Sequence, residues 1–308
     1  MSIGPTTTWF IVARAVHFGA CLLFFGMYAF DRVVLLASGR KDDEVGTNWT
    51  DGVGLFSLIL LPVILISGIA WFLLVALTMS DGLLQWKVLK TVWSQTEFGA
   101  VWKLRLCLWF VAVAVTAFPQ FAVRFKKMIW LPFFVSGALV ASLAWAGHGQ
   151  EDSRWHLGAD VLHLLVAGFW PAGLLALALW LRIVRKGSGL HTNELTAAVV
   201  RRFSVMSLAG VALLAVTGFV DAWYLVGSFT NLFRDNYGRW LLVKVVLFVI
   251  TIGFGAVNLL RLKPRLELPP LDAAAMAQLR RNIRAEICLT TFVIIVVAIL
   301  GVLPPPGH

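Results

Sequence analysis

The chain is poor in charge: 14% of its 308 residues are Asp, Glu, Lys or Arg, where a soluble domain carries about 25%. Cysteine is scarce too. Cys21, Cys107 and Cys288 all lie in apolar sequence, far apart and with no CxxC pair, so neither a zinc site nor a redox motif is signalled. The short alternating segments of a β-barrel are missing, which excludes that architecture. No basic cluster interleaved with stacking aromatics is present, so nucleic acid is not an expected partner. No catalytic constellation stands out, and no enzymatic activity is expected. Met1 to Thr8 lacks a basic region and no small-residue cleavage site follows, so the first apolar run is expected to stay as an uncleaved helix.

What is abundant is apolar sequence, 59% of the chain. Long runs occupy roughly 9–30, 53–78, 102–123, 129–147, 157–181, 203–226, 240–260 and 286–303, each long enough to cross a bilayer as a helix. The expected fold is all-α: a polytopic membrane protein with eight transmembrane helices and membrane lipid as its solvent. Connections after runs one, three, five and seven hold 17 Lys and Arg, against 7 on the opposite side. The 17-rich face is therefore expected to be cytoplasmic and both termini periplasmic, in a bacterial inner membrane. Trp9, Trp49, Trp102, Trp130, Trp155, Trp223 and Trp240 fall near run ends, as interfacial belts do. The loop 79–101 spaces Leu83, Trp86, Leu89 and Trp93 helically beside Lys87 and Lys90, which predicts a short helix lying on the membrane.

Three ordered correspondences predict two parallel four-helix repeats, 1–148 and 149–308. Phe98-Gly99 with Arg105 matches Tyr237-Gly238 with Lys244; Arg14 and His17 match Asp160 and His163; Ser67-Gly68 matches Thr217-Gly218. Charge at membrane depth is expensive and normally faces a bundle interior or a wet cavity. Arg14, Arg105, Asp160, Asp221 and Lys244 therefore form an expected intramembrane polar network around an outward-facing polar cavity between the halves. His17 and His163 lie about 12 Å in, each three residues after a charged one. His148, Glu151, Asp152 and His156 sit in the loop above, and imidazole with carboxylate suits a transition metal. Two other readings stay open: a charge network that only fixes packing, and a b-type haem bridged by His17 and His163, with Arg105 or Lys244 on its propionates.

Residues 159–263 resemble the copper resistance protein D family. The resemblance rests on Asp160-Val161-Leu162-His163, Trp170-Pro171-Ala172-Gly173, Arg202-Phe203-Ser204, Thr217-Gly218, Tyr237-Gly238 with Lys244, and Asn258. Pro171-Ala172 departs from the family's usual Trp-x-Gly-Gly. The first half, through Arg14, His17, Phe98-Gly99 and Arg105, is similar to the N-terminal half of longer members. The resemblance implies movement of copper ions from periplasm toward cytoplasm, with His17, His148, His156 and His163 as candidate ligands. It also makes a periplasmic copper-binding protein the expected partner.

Overall fold

The computed structural model describes residues 5–39, 44–80, 83–118, 126–146, 153–184, 190–266 and 272–306. Among them every regular element is helical, and eight helices are long and apolar enough to cross a membrane. The spanning helices are α1 (Pro5–Ala29), α2 (Glu44–Thr78), α4 (Glu97–Ala117), α5 (Leu131–Ala141), α6 (Arg154–Val184), α7 (Leu190–Val226), α9 (Asn236–Val257) and α10 (Ala273–Leu300). Two short helices, α3 (Trp86–Gln95) and α8 (Phe229–Arg234), precede α4 and α9. The loop helix expected within 79–101 is α3, with Trp86 80% exposed. All three cysteines are free.

α1, α2, α4 and α5 pack in a ring, each against the next, and so do α6, α7, α9 and α10. The rings meet through their first helices: α1 lies on α6 and reaches α10, while α6 reaches α5 and α2. Small residues permit the α1–α6 approach, as membrane interfaces require. A Cβ on Gly26 would come within 2.8 Å of both the Ala172 Cβ and the Gly168 carbonyl. The Pro171-Ala172 departure thus places its alanine against a glycine of the facing helix.

The glycines of Phe98-Gly99 and Tyr237-Gly238 do one job twice. Each sits in the first turn of a spanning helix, where the backbone of the preceding short helix crosses. A Cβ at Gly99 would collide with the Val92 and Trp93 carbonyls, and one at Gly238 would lie 2.5 Å from the Asn231 carbonyl. Without Cβ atoms, α3 folds down onto α4 and α8 onto α9. Thr96 caps α4 by accepting from the Gly99 N–H at 3.0 Å.

Two spanning helices loosen into π-helical turns towards the basic face: α1 at Phe30–Leu35 and α9 at Asn258–Leu262. Buried Asp31, in the first, pairs with Arg32 at 2.8 Å and accepts the Trp49 indole N–H at 2.8 Å. Trp49 and Trp102 therefore leave the expected interfacial belt. Trp49 is 2% exposed and Trp102 9%, whereas Trp9, Trp155 and Trp223 are well exposed. Arg202 of α7 donates from Nε to the Val33 carbonyl at 2.8 Å, tying the second ring to that turn.

Candidate functional site

The ionisable residues near the helix ends remote from the basic face separate into two clusters, one in each ring. In the first, the His17 Nδ1 lies 3.1 Å from both the Ile64 carbonyl and the Ser67 Oγ. A carbonyl only accepts, and the Ser67 hydroxyl already donates to the Val63 carbonyl, so Nδ1 carries the proton. The Nε2 lone pair then accepts from the Arg105 guanidinium. Arg105, 2% exposed, also donates to the Leu139 carbonyl at 2.8 Å and to the Ser142 Oγ, and reaches the Cys21 Sγ at 3.5 Å. Trp71 and Trp102 wall the imidazole, with ring centroids 5.6 and 5.4 Å away. His17 is thus held at both nitrogens. A cavity of about 110 Å³ borders it, lined by α2 and α4 residues such as Ile64, Phe72 and Trp109 and almost wholly apolar.

In the second cluster the His163 Nδ1 meets the Thr217 Oγ1 at 2.9 Å. The Thr217 hydroxyl donates to the Leu213 carbonyl at 2.7 Å, so it accepts from His163 and fixes the same tautomer. The environment repeats closely. A Cβ on Gly68 would lie 3.1 Å from the His17 Cε1, and one on Gly218 would lie 3.3 Å from the His163 Cε1. The difference is at Nε2, which on His163 has no hydrogen-bond partner among the described residues; the Lys244 position holds a lysine where Arg105 clamps His17. With its proton on Nδ1, the His163 ring presents a lone pair at Nε2.

His156, Asp160 and His163 are spaced four and three residues apart on α6, hence on one face. Asp221 of α7 sits between the two imidazoles: its Oδ1 is 3.8 Å from the His156 Nε2 and its Oδ2 is 3.9 Å from the His163 Nδ1. Neither contact is a hydrogen bond, and the Asp221 Oδ1 is buried without one. His156 is 1% exposed, its ring stacked on Tyr224 at 4.8 Å. Asp160, Lys244 and Tyr237 act electrostatically on this group. Among the described residues, no three His, Cys, Asp or Glu side chains converge as a ready metal site.

Arg14 stands between the clusters. Its guanidinium lies 4.8 Å over the Trp71 ring and against Gly301 at the end of α10. It feels the Asp160 charge without closing to ion-pair distance. His148, Glu151 and Asp152 lie outside the described residues. A second, open cavity at the end remote from the basic face is lined by Trp155, Phe219, Val220, Trp223 and Tyr224. A haem bridged by His17 and His163 does not fit these residues, because Arg105 occupies the His17 lone pair and each Nδ1 is bonded within its own ring.

Two family models match the chain. Copper resistance protein D-like, N-terminal domain, matches residues 5–159, and copper resistance protein D matches residues 197–300. The chain belongs to the copper resistance protein D family. A relative from Pseudomonas syringae pv. tomato, copper resistance protein D, is 31% identical over 220 residues, covering 69% of this chain and 70% of its own. Copper transport protein CutJ of Bacillus subtilis (strain 168) is 28% identical over 217 residues, covering 69% of this chain but 38% of its own length. No solved structure matches. Both matches leave the family's site chemistry to be read from the side chains. Thr217 and Ser67, which orient the two histidines, carry one signal in the sequence: each lies beside a glycine in the repeated Ser67-Gly68 and Thr217-Gly218 pairs.

Proposed function

We propose that the protein carries copper ions across the membrane from periplasm toward cytoplasm, entering through the outer cluster of the second ring. The observation that carries this reading is Asp221. Its buried Oδ1 has no hydrogen bond and lies 3.8 Å from the His156 Nε2, while its Oδ2 lies 3.9 Å from the Nδ1 of His163, a ring whose Nε2 has no hydrogen-bond partner among the described residues. Buried polar atoms are normally satisfied, and an unsatisfied one calls for an explanation such as an absent ion. Copper is the cargo that would satisfy it, with imidazole a suitable ligand. His156 then captures and His163 receives, while the loop bearing His148, Glu151 and Asp152 feeds the ion from a periplasmic copper-binding protein.

Electrostatics supports the placement. Arg105 is sequestered with neutral acceptors in the first ring, so the second cluster opposes Arg14 and Lys244 with Asp160 and Asp221. An arriving cation therefore meets a cluster without excess positive charge. In this reading the rings are parallel repeats of one ancestral unit, supported by the paired glycines and paired histidine tautomers. The first has become a clamped scaffold; the second keeps the open site. The Lys- and Arg-rich face is cytoplasmic and both termini are periplasmic.

The test is cellular copper accumulation together with copper binding by purified protein. His163→Ala and Asp221→Asn are expected to abolish accumulation, while His17→Ala spares binding by whatever fraction remains folded. Unchanged accumulation in a normally expressed His163→Ala strain refutes this entry site. A Soret band in the purified protein would transfer the reading to haem.

A further inference from the structure

A second polar group lies deep in the second ring, away from the outer cluster. Glu286 is 1% exposed and sits midway along α10, about 21 Å from its outer end at 1.5 Å per residue. The Asn258 Nδ2 donates to the Glu286 Oε1 at 2.6 Å, and the Asn282 Nδ2 donates to the Asn258 Oδ1 at 2.7 Å. Asn282 and Glu286 are four apart on one helix face. Asn258 opens the π-helical turn of α9, a distortion found mostly at functional sites.

Charge is what makes this group unusual. Among the described residues Glu286 has no ion-pair partner. The nearby elements carry Arg280, Arg281 and Arg284 on α10 itself, with Arg261, Lys263 and Arg265 towards the end of α9. Asp31 and Arg32 lie on the basic end of α1 and Arg182 on that of α6; Lys244, Arg14, Asp160 and His163 lie on the same helices but towards the outer end. Arg265 is engaged with Asp272, and Arg32 with Asp31. A carboxylate buried without a counter-charge is strongly disfavoured, and here it has one amide donor, Asn258, which Asn282 holds in place from behind. Among the described residues no imidazole bonds to this carboxyl–amide group, which separates it from the imidazole site above.

We propose that Glu286, seated by Asn258 and Asn282, is a proton-binding site that loads from the basic face and couples proton movement to copper movement in the opposite direction. The proposal rests on the transport reading. The carboxyl takes a proton from the cytoplasm in the ion-free carrier, carries it toward the outer face, and is left as carboxylate when the proton departs. One O–H bond forms and one breaks, and no oxidant or reductant is involved.

Two measurements decide it, both on the full chain. The first is infrared difference spectroscopy of purified protein across a pH change. A protonated-carboxyl band is expected that titrates, disappears in Glu286→Gln and shifts in Glu286→Asp. The second is copper entry into proteoliposomes, read by an enclosed copper indicator and a pH dye. Wild-type entry is expected to accelerate when the lumen is acidified, by at most about tenfold per pH unit for a single proton. Proton efflux should accompany it. Glu286→Gln, with its site permanently neutral, is expected to lose both the pH dependence and the efflux, and Glu286→Asp to keep them. Copper entry with the same pH dependence in Glu286→Gln overturns the coupling, and so does the lack of a titrating band that belongs to Glu286. If wild-type protein binds and moves no copper, the transport reading falls and takes the coupling with it. The infrared band still reports the carboxyl separately, so the two failures are distinguishable.

Discussion

Thr217→Val removes one hydroxyl and little volume, and it should reach copper through His163. In the native protein the Thr217 hydrogen is committed to the Leu213 carbonyl, so its oxygen can only accept, and His163 must present Nδ1–H to it. That choice leaves Nε2 as the ligating nitrogen. With valine, ligation through Nε2 leaves a buried Nδ1–H without a partner, at about 1–3 kcal/mol. Copper affinity should therefore fall about 5- to 150-fold, a span that brackets the roughly 10- to 100-fold typical of outer groups that orient a ligating histidine. The assay is competition against a copper chelator in mild detergent, with thermal unfolding measured alongside. Thr217→Ser, which restores the hydroxyl, should recover most of the affinity. Ser67→Ala makes the corresponding change beside His17 and should leave affinity unchanged, because Arg105 already occupies that imidazole. If Thr217→Val binds copper like wild type while His163→Ala does not bind it, the tautomer argument is wrong.

Gly99→Ala and Gly238→Ala should each destabilise the protein by about 1–3 kcal/mol, since the new methyl meets backbone rather than a yielding side chain. Lower unfolding midpoints in detergent check this, with Gly158→Ala as a control because nothing lies within 4 Å of its added Cβ. Arg105→Gln should lower stability more than Arg105→Lys lowers copper uptake, because the guanidinium is a buried structural donor to His17, Leu139 and Ser142; thermal unfolding and uptake assays separate the two effects. Asp272 caps α10 through the Ala274 and Ala275 N–H groups, and these bonds with Arg265 hold its carboxyl below the usual range. A depressed folded-state value means the cap's contribution is present above the ordinary carboxylate range and fades as pH falls through the lowered one. Hydrogen-exchange protection, taken relative to the intrinsic rate at each pH, should fall at the first turn of α10 on acidification, and Asp272→Asn should flatten that response. A reporter fused after residue 308 should be active outside the cytoplasm if the basic face is inward.

The eight spans were legible because hydrocarbon demands unbroken apolar length, and hydropathy records it directly. Rotation of each helix was not. In a membrane, lipid-facing and interior-facing residues are both apolar, so nothing in the pattern distinguished Trp102, turned onto His17, from Trp223, turned outward. Trp49 looked interfacial until Asp31 was found accepting its indole N–H. Helical spacing places Asp160 and His163 on one face, but His156, expected in the loop above, is instead buried on the same helix, and spacing does not separate the first histidine cluster from the second. That separation depends on whether residue 105 or residue 244 reaches across to its histidine. Glu286 opens the last apolar run, where it reads as a boundary residue; only packing of α9 against α10 brings Asn258 onto it.

The bond from Arg202 to the Val33 carbonyl has a mechanical consequence. It joins the rings at their basic ends, on a turn of α1 whose backbone ladder is already offset. A tilt that kept this bond would pivot at the basic ends and would displace most the opposite ends, nearly the full length of α1 away, where Arg14 rests on Gly301 and the two histidine clusters lie.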